Sequence, residues 1–590
     1  MALKKTSLSF FRIAFLLSLL STQFAFGQKF NAFTFSQLPQ DYQLFPREND
    51  NQGAITIEGV LTSNEFQSYS VRLLRNGILR SAKKTLLQFS NGTAKVAETL
   101  KIPAELAEYG IEIYGHKNAD SSLIVRRSNL VAGDVFYVSG QSNAWIGPID
   151  DLVYQGEWCR SFGLVQGPEN YGPYNPADTL WSLAVGRARI GPFASELAKL
   201  IIDSEKIPVA IINSAAGGSS IDWHLQLDGN TKALDGGNIM YYKALKSKTL
   251  SKVRAIVYRQ GEAEASDTKS PYTWGEKFNS LLQKYKQYFP SAQFVFNPQV
   301  SIYEYPNRFA AQLREDQRAL ASRNSYVRSF ATVGTTGLLP DRLHYTNLGY
   351  RQTALELFRL MSNQVYKRNY SVEINSPNIQ KAYFKTEQER NKVYLRFEEG
   401  QNLHITKDTL VVDAKGNTIQ AKLARYFYWD KLNANTFEPY ITNIEAVKNE
   451  IIITFNQNYT GNVISYLPDY HRDFQTGNKE YGFPGPFIKN GLGMRAFAFS
   501  GFPVVVEDKL NFDFKCSPNP SSDYLQISWE NPGVGLLEIY DMAGKVMYRE
   551  RITNAYMKTI DTSKWTSANY FVSFKTDTGK FYSRRLAILH

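Results

Sequence analysis

Alternating apolar and polar positions dominate the first part of the chain. Residues 69–73 alternate in this way and run into an Asn76-Gly77 turn, and residues 111–113 repeat the pattern. A period of two residues places every second side chain on one face of a strand, and no long helical period interrupts it. The pattern therefore predicts an N-terminal β-sandwich domain over residues 28–130.

The pattern changes near residue 131, where short apolar runs begin to alternate with amphipathic stretches. Strands are predicted at residues 135–138, 209–212, 254–258 and 294–296, and helices at 192–204, 275–288, 308–323 and 349–364. Strands that alternate with helices of this length are typical of an α/β fold with a parallel sheet. We expect such a domain over residues 131–365.

Strand patterning returns after residue 365. Residues 366–512 are predicted to form an accessory β domain, and residues 513–590 a smaller β unit that opens with Ser517-Pro518-Asn519-Pro520. A chain of 590 residues exceeds what one hydrophobic core usually organises, and its length favours about three to five domains. The fold class expected is thus multidomain, with a central α/β unit flanked by β-sandwich domains.

The first 27 residues have the form of a secretory signal. A basic start precedes an apolar run at residues 13–20, and Ala25-Phe26-Gly27 provides a small-x-small cleavage site. Later stretches do not reach the roughly 18 apolar residues that span a bilayer. The sequence predicts a protein exported through the periplasm, with no integral membrane segment after signal removal.

Charge and cysteine content narrow the range of partners. The formal net charge is +12, but the basic residues are scattered among acidic ones. This distribution favours a role of the charge in solubility over binding to acidic glycans. It also gives no support for a nucleic acid partner. Cys159 and Cys516 are the two cysteines, far apart in the chain, so a disulfide scaffold is not expected. The absence of a clustered Cys/His motif gives no indication of a metal site or a cofactor.

Candidate chemistry follows the predicted strands of the α/β region. Ser142 lies in a Gly-Gln-Ser-Asn loop after residues 135–138, and the Gly-rich stretch 213–223 follows the next strand. Gln260 comes after residues 254–258, and Asp341 lies three residues before His344. Since the carboxyl ends of parallel strands meet at one edge of a sheet, these groups are expected to converge there.

Each of these motifs also has a structural interpretation. Gly217-Gly218 suits a strand-to-helix turn, Gln260 could satisfy backbone groups, Glu262 could be a solvated charge and Asp341 could cap the helix that follows. Their order on successive strand ends favours a catalytic site. His224, which follows the Gly-rich loop, is the alternative to His344 as a base, and His344 is preferred because Asp341 can orient it.

Gly140-Gln141-Ser142-Asn143, Gly217-Gly218 and Gln260-Gly261-Glu262 resemble motifs of the SGNH (GDSL-like) hydrolase superfamily, in the forms found in its sialate O-acetylesterase-type branch. The resemblance implies a three-layer, flavodoxin-like α/β fold. It also implies Ser142 as nucleophile, His344 as general base and Asp341 as its partner. Residues expected by the same resemblance to form the oxyanion hole are Ser142, Gly217, Gly218 and Gln260. Residues expected to line the substrate pocket are Asn143, Trp223, His224, Arg259 and Glu262.

The C-terminal unit carries a second resemblance. Pro518-Asn519-Pro520, the stretch 539–545 and the basic-apolar end at residues 584–589 are similar to the sorting domain of type IX secretion substrates. Such domains are recognised by an outer-membrane machine. The resemblance implies the type IX secretion machinery as a partner and a secreted or surface-attached protein.

Taken together, these features predict an exported carbohydrate esterase that removes O-acetyl groups from glycans through an acyl-enzyme intermediate on Ser142. Sialic acid is the first substrate candidate, and acetylated xylan or pectin are alternatives. A non-catalytic glycan-binding protein on the same scaffold is the alternative from another functional class. Fold alone does not choose among them.

Overall fold

The structure is a computed structural model. It describes residues 28–30, 32–147, 153–164, 174–303, 309–335, 337–412, 417–429, 436–470, 475–476, 483, 485–507, 514–577 and 579–590. The predicted secretory signal at residues 1–27 lies outside these ranges. In the described part of the chain, every helix is too short or too polar to cross a membrane.

Ten strands build the N-terminal region. They are β1 (Gln28–Phe30), β2 (Phe33–Gln37), β3 (Leu44–Pro46), β4 (Gln52–Leu61), β5 (Ser68–Arg75), β6 (Ile78–Leu86), β7 (Phe89–Ser90), β8 (Thr93–Pro103), β9 (Tyr109–Lys117) and β10 (Asp120–Gly140). One antiparallel sheet has the order β1-β2-β4-β8-β7, and β6, β5, β9 and the first half of β10 pair antiparallel beside it. Inward side chains of both sets, such as Ile57 and Ile113, share one buried cluster.

The strand β10 joins this region to the next. Its first half pairs with β9, and its second half lies between two parallel neighbours. The expected domain boundary after residue 130 therefore falls inside a continuous strand. Because one strand serves both sheets, the N-terminal region is fixed directly to the sheet that carries Ser142.

In its described residues, the central region contains six α helices and the strands of the parallel sheet. Its elements are β11 (Cys159–Phe162), β12 (Trp181–Leu183), α1 (Pro192–Glu205), β13 (Val209–Asn213), α2 (Ile221–His224), α3 (Gly236–Lys246), β14 (Val253–Arg259), α4 (Ser270–Tyr288), β15 (Phe294–Phe296), α5 (Ala310–Arg323), β16 (Val327–Arg328) and α6 (Asn347–Gln364). The order across the sheet is β12-β11-β13-β10-β14-β15-β16. All neighbours pair in parallel except the edge strand β12.

Side chains of this sheet alternate between two buried clusters. Phe136 and Val138 belong to a cluster with residues of α1 and α6, whereas Val135 and Tyr137 belong to a cluster with residues of α3, α4 and α5. Helices thus cover both faces of the sheet. This explains why every residue of β13, and every residue of β14 except Arg254, is buried. The four predicted helices and the other predicted parallel strands are present with ends shifted by a few residues, whereas the strand predicted at 135–138 is the last part of the much longer β10. The helix α3 was not predicted, because its Gly-Gly-Asn start has low helix propensity.

Twelve further strands follow in the part of residues 366–507 that the structure describes. They are β17 (Ile379–Phe384), β18 (Lys392–Phe397), β19 (Leu403–Ile405), β20 (Thr409–Val412), β21 (Thr418–Ala421), β22 (Phe427–Tyr428), β23 (Ile441–Val447), β24 (Glu450–Phe455), β25 (Val463–Tyr466), β26 (Gln475–Thr476), β27 (Ile488–Asn490) and β28 (Phe499–Val506). Seven of them form a sheet with the order β22-β25-β28-β17-β18-β24-β23. We call residues 366–507 the accessory region. Its core also takes in Ile302 and Val333 of the central region.

The C-terminal unit is a separate antiparallel sheet with its own buried cluster. Its strands are β29 (Phe514–Ser517), β30 (Tyr524–Asp541), β31 (Val546–Asp561), β32 (Ala568–Thr576) and β33 (Phe581–Ile588). The order is β29-β30-β32-β33, with β31 on β30. The expectation of several domains, with β-rich regions around a central unit, is confirmed.

Candidate active site

The site begins at the carboxyl end of β10, where the chain turns sharply. Gly140 has φ of +122°, and a Cβ atom there would lie 2.0 Å from the carbonyl oxygen of Arg259 on β14. Only glycine permits this close approach. The turn leads into a single turn of 3₁₀ helix at Ser142–Ala144, so Ser142 opens a helical turn directly above the strand.

Ser142, His344 and Asp341 form a connected hydrogen-bond chain. The Nε2 atom of His344 lies 2.8 Å from the Oγ atom of Ser142, and the Nδ1 atom lies 2.7 Å from Oδ2 of Asp341. The Ser142 residue is 8% exposed and the His344 side chain is 18% exposed, so the pair lies at an accessible edge. An imidazole between a hydroxyl and a carboxylate is the arrangement that allows a serine to act as a nucleophile.

Asp341 is held by the loop on which it lies. Its Oδ1 atom accepts hydrogen bonds from the backbone N–H groups of Leu343 and His344, each at 3.0 Å. Burial works against the ionised carboxylate, but these hydrogen bonds and the His344 ring outweigh it and lower the pKa of Asp341. The carboxylate therefore stays charged and holds the imidazole with its Nδ1 proton toward Asp341.

Asn143, the neighbour of the serine, is buried and joins three elements. Its Nδ2 atom donates to Oε1 of Glu262 at 2.7 Å and to the carbonyl oxygen of Leu343 at 3.2 Å, and its Oδ1 atom accepts from the Tyr350 hydroxyl at 2.9 Å. Leu343 directly precedes His344. The side chain therefore ties the turn that carries Ser142 to the loop that carries His344.

Glu262 lies beneath this contact and is 4% exposed. Its Oε1 atom also accepts from the Tyr303 hydroxyl at 2.9 Å, while Oε2 is buried without a hydrogen-bond partner. Burial, with the nearby Glu262 charge, raises the pKa of Tyr303 well above its usual value, so the hydroxyl keeps its proton and remains a donor. Glu262 thus supports Asn143, the neighbour of Ser142.

The Gly-rich loop after β13 lies beside the turn that carries Ser142. It is fixed by Asn213, whose Nδ2 donates to the carbonyl oxygens of Ala144 and Ile190, and by the N–H of Ala216, which donates to the carbonyl oxygen of Gly140. A Cβ atom at Gly217 or Gly218 would meet nothing within 4 Å. Within the described ranges, the N–H groups of Ser142, Gly217 and Gly218 donate no hydrogen bond to another residue. They are available to an anion.

Gln260 is fully buried, and its contacts do not fit the oxyanion role expected of it. Its Oε1 accepts from the Trp274 indole at 2.9 Å, and its Nε2 donates to the carbonyl oxygen of Ser219 at 3.2 Å and to the carboxylate of Glu264. An indole only donates and a carboxylate only accepts, so the amide orientation is fixed. Both Nε2 hydrogens are used inside the protein, and this corrects the expectation of a free donor.

His224 is not placed to serve as the base. It is 1% exposed, with Nε2 2.9 Å from Oγ of Ser219 and Nδ1 3.5 Å from Oγ of Ser139. Burial lowers the pKa of His224 to about 3, so the ring is neutral at working pH. Its neighbour Trp223 is half-buried and packs against a small cluster that includes Tyr242.

Arg259 is also buried rather than open to a substrate. Its guanidinium lies 5.1 Å from the Phe193 ring centroid, 4.9 Å from that of Tyr345 and 5.5 Å from that of Tyr350, and it donates to Thr353 at 3.3 Å. This aromatic box stabilises the cation. Of the five expected pocket residues, Asn143 and Glu262 lie beside the hydrogen-bonded Ser142 and His344, while His224 and Arg259 are packing residues.

Sequence reasoning did not give Gln141 or the two tyrosines a role. The Oε1 atom of Gln141 accepts from the backbone N–H groups of Gly261 at 3.3 Å and Ala263 at 3.1 Å, so it locks the nucleophile turn to the loop after β14. Gln141 was visible as part of the serine motif. Tyr303 and Tyr350 carry no local signal, because their partners Glu262 and Asn143 lie 41 and 207 positions away from them in the chain.

Among the described residues, His, Cys, Asp and Glu side chains form no group of three or more that could hold a metal ion.

The model of the family described as carbohydrate esterase, sialic acid-specific acetylesterase, matches residues 132–363, which contain every group described above. The central region is a carbohydrate esterase domain of this family. The prediction of an acetylesterase-type domain is confirmed.

The same comparison identifies the C-terminal unit. The model of the secretion system C-terminal sorting domain matches residues 515–588. The protein is therefore exported by the type IX secretion route, to the cell surface or the medium, as the sequence predicted. No curated protein matches the chain.

Solved structures resemble the esterase chain at low identity. A carbohydrate acetylesterase from Xanthomonas citri aligns with 15% identity and a TM-score of 0.51, over 79% of this chain and 99% of that one, which shows a shared fold. A protein from Arabidopsis thaliana aligns with 18% identity and a TM-score of 0.32, over 39% of this chain and 98% of that one. A family two carbohydrate esterase from Clostridium thermocellum, in complex with cellohexaose, aligns with 13% identity and a TM-score of 0.26, over 55% of this chain and 98% of that one.

Proposed function

We propose that this protein is an exported serine esterase that removes O-acetyl groups from glycans, with Ser142 as nucleophile, His344 as general base and Asp341 as its partner. The observation that carries the proposal is the chain of contacts from Ser142 Oγ through His344 to Asp341, at 2.8 and 2.7 Å. It lies within the residues that match the esterase family.

The reaction proceeds by two acyl transfers. His344 takes the proton of Ser142 as the Oγ atom attacks the acetyl carbonyl, and returns it to the sugar hydroxyl that leaves. Water then attacks the acetyl-serine with His344 again as base, which releases acetate and restores Ser142. Asp341 stabilises the imidazolium formed in each step and keeps its charge throughout.

The oxyanion of each tetrahedral intermediate is held by backbone N–H groups of Ser142, Gly217 and Gly218. Within the described ranges these three N–H groups donate no hydrogen bond to another residue, and the Ser142 N–H is at the first position of a helical turn. Losing one such donor typically costs about 3–4 kcal/mol of transition-state stabilisation. Gln260 acts behind them, as a support for the Gly-rich loop through the Ser219 carbonyl oxygen.

The fold supports a finer assignment of the central region. Parallel strands covered by helices on both faces, with the catalytic groups at their carboxyl ends, are what a three-layer SGNH hydrolase presents. We extend the proposal to the domain organisation, with a signal at residues 1–27, a β-sandwich at 28–130, the catalytic domain at 131–365, an accessory β domain at 366–512 and the sorting domain at 513–590.

O-acetylated sialic acid is the first substrate to test, since the matching family is described by that specificity. Acetylated xylan and pectin are the second group. The test measures acetate release from 4-nitrophenyl acetate, O-acetylated sialoglycan and acetylated xylan by the secreted full-length chain. The matched variants are Ser142→Ala, His344→Ala and, as control, Ser247→Ala, whose hydroxyl is buried beside Tyr137 and Thr249.

The wild type and the control are expected to release acetate, and the two site variants to lose at least about 10³-fold in kcat. Preference for one of the two glycans then assigns the substrate class. If the folded wild type releases no acetate from any substrate, the esterase proposal is wrong and glycan binding without catalysis becomes the function to measure.

A further inference from the structure

A short segment of the accessory region reaches into the esterase domain. Asn490 shapes it, because its Oδ1 accepts the N–H groups of Leu492 and Met494 while its Nδ2 donates to the carbonyl oxygens of Glu373 and Asn375. Asn490 is 1% exposed. The segment is therefore anchored in the accessory region, and its shape is fixed at the point where it leaves that region.

Arg495 follows the turn of this segment, pairs through its backbone with Lys489, and is buried against residues of the esterase domain. Its Nη2 atom donates to the carbonyl oxygen of Ala331 at 3.0 Å and to Oγ1 of Thr335 at 3.4 Å, and it pairs with Oε2 of Glu356 at 2.5 Å. The side chains of Arg495 and Glu356 are 2% and 6% exposed. An ion pair this buried is expensive to break, because removal of one partner leaves an uncompensated charge.

The contacts of Arg495 lie on both sides of the catalytic loop. Ala331 and Thr335 precede the loop that carries Asp341 and His344. Glu356 lies on α6, which begins at Asn347 and follows His344 by three residues. The guanidinium therefore ties together the two ends of the segment that presents the base to Ser142.

Two neighbouring contacts reinforce this junction. The Phe487 ring packs over Gly334, where a Cβ atom would lie 2.5 Å from the ring. Gln299 exchanges two hydrogen bonds with the backbone of Ala498, at 2.9 and 3.1 Å. Met494, next to Arg495, belongs to the same buried cluster as Tyr345 and Tyr350. Tyr345 directly follows His344 in the chain, and the Tyr350 hydroxyl donates to Asn143.

We propose that Arg495 of the accessory region is a positioning residue of the esterase, which holds the Asp341–His344 loop in register with Ser142. The inference rests on the proposed function. Displacement of a catalytic group by about 1 Å can cost roughly a hundredfold in rate. Arg495 touches neither substrate nor reacting atoms, and it acts through the loop ends it joins.

The test separates positioning from stability with a paired replacement in the full-length chain. Arg495→Met alone leaves Glu356 buried without a partner and lowers the unfolding temperature. Arg495→Met with Glu356→Met replaces the ion pair by an apolar contact of similar volume, which is often neutral or stabilising, so the unfolding temperature is expected to return to within a few degrees of wild type.

If Arg495 positions the base, the double variant keeps the stability but not the rate. With 4-nitrophenyl acetate we expect kcat at least about tenfold below wild type and KM within about twofold, because the loss is in alignment and not in ground-state binding. Arg495→Lys, which keeps the charge, is expected to recover part of kcat. A double variant with both the unfolding temperature and kcat of the wild type would overturn the proposal.

Arg318→Met is the matched control at the same junction. Arg318 is buried and donates to Asn378 of the accessory region at 2.8 Å, but it contacts its own helix neighbour Glu315 and not the catalytic loop. It is expected to lower the unfolding temperature and leave kcat unchanged. Equal loss of kcat in this control would also overturn the proposal. An inactive wild type would instead refute the esterase function itself.

Discussion

The Nε2 atom of His344 lies 2.8 Å from the Oγ atom of Ser142, although 202 positions separate the two residues in the chain. The contact depends on two turns that have little in common. One is the glycine turn at the end of β10, and the other is the loop before α6, where Leu338 and Tyr345 form an isolated bridge and the Leu339 N–H donates to the carbonyl oxygen of His344. Asn143 joins the two turns through its hydrogen bond to Leu343.

Asp341→Asn tests the orientation of the base. An amide at this position favours the wrong tautomer of His344, so kcat is expected to fall roughly 10³- to 10⁴-fold with little change in KM. Steady-state kinetics on 4-nitrophenyl acetate measures this. A loss of less than about tenfold would show that Asp341 is only a loop residue.

The same variant has a pH signature. The folded-state pKa of Asp341 is lowered. The ionised carboxylate therefore contributes to stability at pH values above the ordinary Asp pKa of about 3.9, and this contribution is lost as the pH falls through the lowered pKa. The wild type should therefore lose its stability advantage over Asp341→Asn on acidification below about pH 4. Denaturant unfolding at pH 7 and at pH 3 gives the comparison.

His224→Gln distinguishes the two candidate bases. Glutamine can keep one donor and one acceptor toward Ser219 and Ser139, so we expect kcat within about tenfold of wild type, whereas His344→Gln should lose at least about 10³-fold. Equal losses in the two variants would contradict the assignment of His344.

His224 should also make the wild type sensitive to acid. Its folded-state pKa is about 3 and the unfolded value is about 6.5. Between these values the unfolded chain binds the extra proton, so stability falls as the pH drops through this window. His224→Gln is expected to flatten that slope, and thermal unfolding between pH 4 and pH 7 would show it.

Gln260→Ala separates a supporting residue from an oxyanion donor. The change leaves the Trp274 indole and Oε2 of Glu264 without the hydrogen bond from Gln260, at a cost of about 1–3 kcal/mol for each buried group. We expect a clear fall in unfolding temperature and a loss of kcat below about tenfold. A stable variant with kcat reduced a hundredfold or more would restore Gln260 to the oxyanion hole.

Asn143→Asp tests the tie between the two catalytic turns. The new carboxylate would face Oε1 of Glu262, where the amide nitrogen lies at 2.7 Å, and two carboxylates so close must share a proton, which raises one pKa. A raised folded-state pKa means that stability falls as the pH rises through it, so the variant should be nearer to wild type at pH 5 than at pH 8.

The control for this prediction is the double variant Asn143→Asp with Glu262→Gln. It returns one amide to the contact and is expected to recover most of the lost stability at pH 8. Calorimetric unfolding at both pH values measures all three proteins. A single variant whose stability deficit does not change with pH would show that the two side chains do not interact.

Local sequence determined most strands and helices of the esterase domain, the position of Ser142 at the end of β10, and the position of Asp341 and His344 before α6. Alternation with a period of two or near 3.6 residues, together with the Asp-x-x-His spacing, is a property of neighbouring residues, and it can be read without a partner. The sorting domain was recognised in the same way, from motifs in one continuous stretch.

Tertiary structure alone decided which polar side chains face the site. Gln260 and Arg259 follow β14 as the sequence suggests, but Trp274, Glu264 and the aromatic rings around Arg259 come from other elements and turn both side chains inward. Arg495 contacts Glu356 beside the loop of Asp341 and His344, although 139 positions separate the two residues in the chain. This placement also depends on tertiary contacts. Burial and hydrogen-bond partners depend on contacts between distant segments, and a local pattern carries no record of them.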